Sequence, residues 1–287
     1  MTTNDSTPNT PSDVLVLGAT GKSGRRVTRV LREAGVTVRA ASRSGEVKFD
    51  WTDRTTWGPA LDGADAVYLV APEDPTPIGD FVNRAVEAGV RRFVALSGRG
   101  IEHAVGSGFG EGMLAAEEAV RGSGAQWTIL RPTNFFQNFT EDLWHTPVLQ
   151  GRLALPIGEV PEAFIDLEDL AEAAATILTA PDDAGHVGQV YELSGPEALT
   201  FREATATVAE AAGRTVEYVE LTPEEYRTEL REAGVPEEWV SALDALFALH
   251  RKGHTTTPAT GIPHILNREA TPLKKWATRA AAENAWQ

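Results

Sequence analysis

Three glycines spaced three residues apart follow the first apolar run of the chain. The run is Val14–Leu17, and the glycines stand in the segment GATGKSG as Gly18, Gly21 and Gly24. A helical pattern covers residues 22–34, so the glycines lie between a strand and a helix. In that setting the first glycine permits a tight turn, the second admits a pyrophosphate to backbone N–H groups, and the third lets helix and strand pack closely. The alternative is a glycine-rich turn without a ligand, and the order strand, loop, helix favours a dinucleotide site.

The loop is not the phosphate-binding loop of nucleotide triphosphatases. Lys22 is followed by Ser23, as in that motif, but no glycine stands five residues before Gly21. The loop is therefore predicted to bind a dinucleotide.

Apolar strands alternate with helical patterns through the first half of the chain. Such an alternation indicates βαβ units, and it predicts an α/β fold with a Rossmann-type doubly wound parallel sheet. The predicted strands are Val14–Leu17, Val36–Ala41, Val47–Phe49, Asp65–Ala71, Arg92–Ser97 and Gln126–Leu130, and the predicted helices are Lys22–Ala34, Ile78–Ala88 and Gly112–Arg121.

The second half of the chain reads as a smaller, mostly α-helical lobe that supplies a substrate pocket. Its predicted helices are Asn134–Trp144, Leu167–Thr179, Phe201–Ala212, Pro223–Ala233 and Pro236–His250, with strands at Val190–Leu193 and Val216–Glu220. We divide the chain into a disordered tail over residues 1–12, a dinucleotide-binding domain over 13–165, and the remaining sheet elements with the substrate lobe over 166–287. The Pro- and Gly-rich segment Thr255–Pro263 is expected to act as a lid or a dimer contact.

The end of the second strand distinguishes between the two nicotinamide cofactors. An NAD site usually places an acidic residue there, and this chain has Ser42, Arg43 and Ser44 instead. A guanidinium and two hydroxyls suit a ribose 2′-phosphate, so the sequence favours NADP(H). The alternative is a solvated arginine at the end of a strand.

Eight segments together resemble the NmrA-like family of atypical short-chain dehydrogenases. They are GATGKSGRRV, ASRSG, FDWTD, VYLVAP, FVALSGRG, WTILRPTNFFQN, FIDLEDLAEAAA and REATPLKKWATRAA, and they span nearly the whole chain from Val14 onward. The family includes quinone and azo reductases, isoflavone-reductase-like enzymes, ergot-alkaloid reductases, and NADP-sensing regulators without known catalysis.

The resemblance implies which residues meet the cofactor. The glycine loop is expected to bind the pyrophosphate, and Arg43 is expected to bind the 2′-phosphate. The residues that come later in the chain are expected to contact the cofactor between its ribose and its nicotinamide. The complete set is Gly18, Thr20, Gly21, Lys22, Ser23, Gly24, Ser42, Arg43, Asp50, Val70, Ala71, Pro72, Ser97, Pro132 and Asn134. A substrate pocket is expected around Met113, Phe135, Phe136 and Phe164, although core packing explains at least half of the aromatic residues in that region.

The proton donors of related enzymes are missing. No tyrosine has a lysine four residues later, and the position matching the lysine of isoflavone-reductase-like relatives is Met113. One explanation is an activated acceptor that needs little acid assistance. The other is a different donor, for which His103 and Asp166 are candidates, with Glu111 as a weaker one. Each has a structural alternative. His103 would be a solvent-facing loop residue, Asp166 a helix cap, and Glu111 a carboxylate in the first turn of a helix.

The composition of the chain limits the kinds of ligand and macromolecule that we expect it to bind. The formal net charge of −15 opposes binding to nucleic acid or an anionic membrane surface, and any site for a phosphorylated cofactor must concentrate its own positive charge. The chain has no cysteine, which excludes disulfides and thiolate chemistry and fits a cytoplasmic protein. The histidines lack metal-site spacing, so no metal is expected.

These features predict an NADPH-dependent reductase that passes hydride to a flat, conjugated small molecule such as a quinone, an iminium ion or an enone. We expect a monomer or a homodimer. A non-catalytic NADP(H)-sensing regulator is the alternative, which the missing donors favour. An isomerase or cyclase without net redox change is a third.

Overall fold

The alternation predicted for the first half of the chain is present in the computed structural model, which describes residues 11–182 and 184–287. The strands are β1 (Asp13–Leu17), β2 (Thr37–Ser42), β3 (Val47–Lys48), β4 (Ala66–Val70), β5 (Arg92–Leu96), β6 (Gln126–Pro132), β7 (Arg152–Leu155), β8 (Gln189–Leu193) and β9 (Glu217–Glu220). The helices are α1 (Lys22–Glu33), α2 (Trp57–Leu61), α3 (Ile78–Glu87), α4 (Glu111–Gly122), α5 (Asn138–Glu141), α6 (His145–Gln150), α7 (Leu167–Leu178), α8 (Phe201–Ala212), α9 (Pro223–Glu232), α10 (Glu237–Arg251), α11 (Gly261–Leu266) and α12 (Leu273–Ala282). Within the described ranges, no helix combines the length and the apolar character needed to cross a membrane.

Seven of the strands form one sheet in the order β3-β2-β1-β4-β5-β6-β8. The pairs from β3 through β6 are parallel, and β1 lies between β2 and β4, with Val14 opposite both Val38 and Ala66. The strand order reverses its direction at β1, so the crevice beyond the carboxyl ends of β1 and β4 is the usual ligand position in such sheets. The predicted fold class, a Rossmann-type doubly wound α/β sheet, is confirmed.

The central strands are apolar because both faces of the sheet are covered. Leu15 and Leu17 of β1 pack in a buried cluster with residues of α2 and α3, such as Trp57 and Phe81. A parallel sheet that is buried on both faces needs continuous apolar runs, which explains why these strands could be read from the sequence.

The structure divides into two compact units that interleave along the chain. Among the described residues, unit 1 comprises 11–97, 112–131, 170–182 and 184–191, and unit 2 comprises 98–111, 132–169 and 192–287. These units are defined by compactness and do not test the predicted domain boundary at residue 165, which remains a prediction.

A buried arginine ties together distant parts of unit 1. Arg92 in β5 is only 3% exposed, and its guanidinium donates to the carbonyl oxygens of Ile177 at 3.0 Å and Ala180 at 2.6 Å. It also donates to the Asp182 carboxylate at 2.8 Å. A buried charge needs such partners, because an unpaired guanidinium in the core is strongly destabilising.

Unit 2 is organised around aromatic side chains. Trp144 packs edge-on against Phe201 with ring centroids 5.0 Å apart, and Phe201 contacts Phe164 at 4.8 Å. The strands β7 and β9 form a small parallel sheet next to this cluster, with Leu153 opposite Tyr218.

The single helix predicted over Asn134–Trp144 is wrong. The Phe136 N–H donates to the Ile165 carbonyl at 2.9 Å, so the chain is held extended there, and α5 begins only at Asn138. At the end of the predicted disordered tail, the Ser12 hydroxyl donates to the Asp65 carboxylate at 3.0 Å, and the tail remains a prediction. Residues 1–10 of that tail lie outside the described residues.

Candidate functional site

The glycine loop forms a tight cradle between β1 and α1. Gly18 has a φ of +64°, a left-handed conformation that favours glycine, and the Gly21 N–H donates to the Gly18 carbonyl at 2.8 Å. A Cβ atom on Gly24 would overlap the Gly18 carbonyl oxygen and crowd the backbone of Ala19. The three glycines therefore do what their spacing predicts: they allow a turn, an open backbone and a close approach between helix and loop.

The first turn of α1 has the character of an anion-binding site. Gly21 is its N-cap, and within the described residues this helix has neither a side-chain cap at Gly21 nor an acidic residue in its first turn. The first N–H groups of a helix have no partner inside the helix, and the helix dipole favours negative charge beside them. Thr20 is exposed beside these groups, whereas Ser23 is buried. The donor set and the cradle both fit a pyrophosphate.

The carboxyl end of β2 offers hydroxyls and one cation. Ser42 is buried, and in the described structure its Oγ has no hydrogen-bond partner. Arg43 and Ser44 are exposed beside it. Asp50 accepts hydrogen bonds from the backbone and side chain of Thr52, which lower its pKa, and the nearby charge of Arg43 adds to this effect. The Asp50 carboxylate is thus bonded to its neighbour Thr52, and the residues at the strand end, 42–44, include no acidic side chain.

A cleft of about 560 Å³ extends from the glycine loop along α1. Thr20 and Ser44 line it together with Arg25. Thr28 also lines it, and the Thr28 Oγ1 is buried without a hydrogen-bond partner among the described residues. The sequence reasoning missed Arg25 and Thr28, although Arg25 lies one helical turn after Gly21.

The end of β4 and the start of α4 meet the same edge of the sheet. A Cβ atom on Gly18 would lie 3.6 Å from the Val70 Cβ, so the ends of β1 and β4 are neighbours. Gly112 in α4 passes so close to the Pro72 carbonyl that any Cβ there would overlap it. Met113 follows Gly112 directly and is half-buried.

A buried carboxylate, Glu117, joins the ends of β5 and β6. It is 2% exposed and accepts hydrogen bonds from the Ser97 hydroxyl at 2.6 Å and from two nitrogens of Arg131 at 2.8 Å each. Burial alone would raise the Glu117 pKa, but the hydrogen bonds from Arg131 and Ser97 lower it below the ordinary value. Glu117 was not predicted, because a glutamate on a helix usually faces water. It lies one turn after Met113.

The predicted residues of unit 2 are less exposed than expected. Phe136 and Phe164 are each 1% exposed and belong to the aromatic core, whereas Phe135 and Asn134 are only partly buried. Pro132 is buried at the end of β6. A substrate-pocket role for the phenylalanines therefore remains a prediction.

The two candidate proton donors have different surroundings. The His103 side chain is 46% exposed, lies 3.9 Å from Glu102, and stacks on His254 with ring centroids 3.8 Å apart. The Asp166 side chain is fully buried, binds Arg279 at 2.7 Å and accepts from the Glu168 N–H at 3.0 Å. The latter contact caps α7, which is the structural alternative given for Asp166. A catalytic role for either residue remains a prediction.

Comparisons with known proteins agree with this geometry. The profile of the NmrA-like family matches residues 10–281. The NAD(P)H azoreductase of Xenophilus azovorans is 31% identical over 286 residues, which cover 94% of this chain and 98% of that protein.

Two solved structures share the fold. An NADPH-dependent quinone oxidoreductase from Escherichia coli superposes with a TM-score of 0.74 and 23% identity over 93% of this chain and 98% of the other. NmrA, a negative transcriptional regulator in complex with NADP, superposes with a TM-score of 0.76 and 15% identity over 96% and 97%. At these identities the two structures show the fold alone.

Proposed function

Because this chain belongs to the NmrA-like family, we propose that it is an NADPH-dependent reductase that transfers hydride to a flat, conjugated small molecule. The observation that carries the proposal is the cradle of Gly18, Gly21 and Gly24 at the uncapped start of α1. Backbone N–H groups and the helix dipole bind a pyrophosphate there without needing a cationic side chain. This matters in a chain with a net charge of −15.

The preference for NADPH over NADH rests on the end of β2. Arg43 and Ser44 hold the 2′-phosphate by a charge-assisted hydrogen bond and a hydroxyl contact, because both side chains are exposed there. Arg25 and Thr28 extend this polar surface along the adjoining cleft. An acidic residue at this strand end would repel the phosphate, and none stands among Ser42, Arg43 and Ser44.

The acceptor class follows from what the chain lacks. The bound cofactor supplies hydride. Met113 occupies the position where related enzymes have a lysine, so this chain places no ammonium group there. An electron-poor acceptor, such as a quinone or an azo compound, takes hydride on one atom and a proton from water on another. The orientation of the acceptor against the cofactor then accounts for the rate. The azoreductase name of a relative is in line with this class.

The absence of a lysine at Met113 also favours a second function, that of an NADP(H)-sensing regulator. A protein that binds the cofactor without turning it over has no need of a group at residue 113 that handles protons. The NmrA structure in complex with NADP has the same fold.

The test is a titration of the purified protein with NADPH and NADH, followed by NADPH absorbance with quinones, azo dyes and cyclic imines. The variant Gly21→Asp places a carboxylate where the pyrophosphate binds and should abolish both binding and turnover. Gly79→Asp is the matched control, since it adds the same charge to the first turn of α3 in open space.

Oxidation of NADPH that Gly21→Asp removes and Gly79→Asp retains would support the reductase. Tight NADPH binding without turnover across the panel would favour the regulator. Product formation without net NADPH consumption would indicate an isomerase or cyclase, and the absence of nucleotide binding would overturn the proposal.

A further inference from the structure

Unit 2 contains a cavity of about 480 Å³ that is bounded by β7 and by the helices α6, α9 and α10. Sites for small organic molecules range from roughly 300 to 1,000 Å³, so the cavity is large enough for one. Its described lining residues all belong to unit 2, and none of them is among the residues predicted to bind the cofactor or to form the substrate pocket. The cavity is therefore a candidate for a separate binding site.

The floor of the cavity is apolar and largely aromatic. Trp144 and Phe247 are each 2% exposed, Leu153 is 1% exposed, and all three side chains line the cavity. They belong to the aromatic core of unit 2, where Trp144 packs edge-on against Phe201. Side chains that are fixed by such packing form an apolar surface that is ready for a ligand, and this surface favours an apolar ligand over water.

The rim of the cavity carries two large apolar side chains that are exposed. Trp239, in the first turn of α10, is 54% exposed, and Leu143 is 41% exposed. Single exposed apolar residues are ordinary, but two of them beside one apolar cavity form a patch of the kind that marks a binding site. A ligand that fills the cavity would cover both, and a flat aromatic ligand would also gain ring stacking from Trp239.

One hydroxyl in the cavity can donate to a ligand. Tyr226 of α9 lines the cavity with its ring edge-on to Phe247 at 5.3 Å, and within residues 11–182 and 184–287 its hydroxyl has no hydrogen-bond partner. Burial raises the Tyr226 pKa, and the charge of Asp244 raises it further, so the hydroxyl stays protonated at neutral pH. A protonated phenol donates one hydrogen bond, which an acceptor on the ligand would receive.

The charges around the cavity cancel. Among the described lining residues only Arg152 and Glu229 are charged, and they form a pair with two hydrogen bonds of 2.9 and 2.7 Å. Asp244, whose charge acts on Tyr226, is itself paired with Arg227 at 2.7 Å. Because each charge has its own counter-charge, the cavity offers no net charge to a ligand, and a neutral molecule suits it best.

We propose that this cavity binds a neutral, flat aromatic molecule that carries a hydrogen-bond acceptor such as a carbonyl oxygen. The rings of the molecule contact the apolar floor together with Trp239 and Leu143, and its acceptor receives the hydrogen bond of the Tyr226 hydroxyl. The inference is independent of the proposed function, because no residue of the glycine loop or of β2 takes part in it.

The test is a fluorescence titration with prodan, a neutral naphthalene that carries a ketone and a dimethylamino group and emits at shorter wavelength in apolar surroundings. No nucleotide is added. The natural protein should bind prodan saturably and shift its emission to shorter wavelength. Trp239→Ala should weaken the binding about fivefold or more, because the ring contact at the rim is lost.

The hydroxyl is tested by Tyr226→Phe, which keeps the ring against Phe247 and removes the donor. Prodan should bind this variant about fivefold more weakly than the natural protein, as expected for the loss of one hydrogen bond. Dimethylaminonaphthalene, which lacks the ketone, should bind the variant and the natural protein equally. A merely structural role of Tyr226 would weaken the binding of both molecules to the same extent, and that result would overturn the acceptor assignment.

The position of the site is tested by Ala233→Phe. Ala233 is an exposed lining residue at the C-terminal cap of α9, so a phenyl ring there occupies the cavity from its rim and should abolish prodan binding. Ala88→Phe is the matched control, because Ala88 is an exposed alanine at the C-terminal cap of α3 and is not a lining residue. The two positions have nearly the same backbone angles, φ −75° and ψ −1° at Ala233 and φ −76° and ψ −7° at Ala88. The control should keep the full affinity.

The absence of saturable prodan binding would overturn the inference, as would full affinity in folded Ala233→Phe. If Ala233→Phe does not fold, Trp239→Ala decides, since it changes an exposed side chain, and unchanged affinity there would also overturn the inference. A dimer that sedimentation detects and that Ala233→Phe dissociates would show that a second copy of the chain covers this face instead. NADPH turnover, present or absent, tests only the proposed function.

Discussion

We propose that Arg43, an exposed side chain at the end of β2, determines the preference for NADPH over NADH. Its charge helps to lower the pKa of Asp50, so its field already acts on an anion in that neighbourhood. Hydrogen bonds to charged groups contribute about 1.5–3 kcal/mol, more than those between neutral groups. A ribose 2′-phosphate would receive this interaction, and a ribose hydroxyl would receive little of it.

Arg43→Ala should therefore weaken NADPH binding about 10-fold or more and change NADH binding by less than about twofold. Fluorescence titrations with both nucleotides measure the difference. Arg54→Ala serves as the control, because Arg54 is an exposed arginine of unit 1 that pairs with Asp80. Equal losses for NADPH and NADH would contradict the assignment of Arg43 to the 2′-phosphate.

At the scale of elements, α8 shows how local sequence sets a helix boundary. Thr200 accepts from the Glu203 N–H at 3.2 Å, and Glu203 accepts from the Thr200 N–H at 2.8 Å, which completes a capping box. The helix then buries Phe201 and Val208 in the core of unit 2. Loss of the cap affects an element that the core depends on.

Thr200→Ala should lower the free energy of unfolding by about 1 kcal/mol, measured by urea denaturation. Thr207→Ala on the same helix is the control. Its hydroxyl only returns to the Glu203 carbonyl at 3.0 Å, and alanine is the better helix former, so no loss is expected. A cap variant as stable as the natural protein would show that packing alone sets this boundary.

The elements also show what could be read from the sequence. The buried strands of the sheet and the long amphipathic helices were predictable, since their patterns are local and continuous. The helix predicted over Asn134–Trp144 failed because Phe136 is held by Ile165, a contact that no local pattern reveals. The strand β7 was missed for the same reason, as its partner β9 comes much later in the chain.

The candidate site divides in the same way. The glycine loop and the end of β2 lie within short segments whose spacing carries the chemistry, so they could be proposed from the residues. Glu117 could not, because only the fold brings Ser97 and Arg131 to it. Asn134 and His250 are 116 residues apart, and their hydrogen bond depends on the packing of α10.

For the molecule as a whole, acid should be strongly destabilising. Glu117 has a lowered pKa in the folded protein, because the hydrogen bonds from Arg131 and Ser97 outweigh its burial. A group with a lowered folded pKa stabilises the protein above its unfolded pKa, about 4.3 for glutamate, and that contribution is lost as pH falls through the folded value. Surface carboxylates with lowered pKa values, such as Glu203 bonded to the Thr200 backbone, act in the same direction.

Urea midpoints measured from pH 7 to pH 3 should therefore fall steeply below about pH 4.3. Glu117→Gln should cost about 3 kcal/mol at pH 7, since it removes a buried carboxylate that pairs with Arg121 and Arg131, and should make the decline below about pH 4.3 shallower. Glu118→Gln, an exposed neighbour on α4, should change the stability at pH 7 by less than about 0.5 kcal/mol. An unchanged slope in Glu117→Gln would contradict this account.

The buried guanidinium of Arg92 has a consequence for how the protein is made. Its acceptors at Ile177, Ala180 and Asp182 leave the ribosome long after β5 has been synthesised. Until they emerge, burying Arg92 would leave its charge unpaired, so we expect the sheet to close over Arg92 only after these acceptors have been made. A chain that ends before residue 182 would therefore lack acceptors for this guanidinium as well as β8, and we expect it to be recognised by chaperones and proteases.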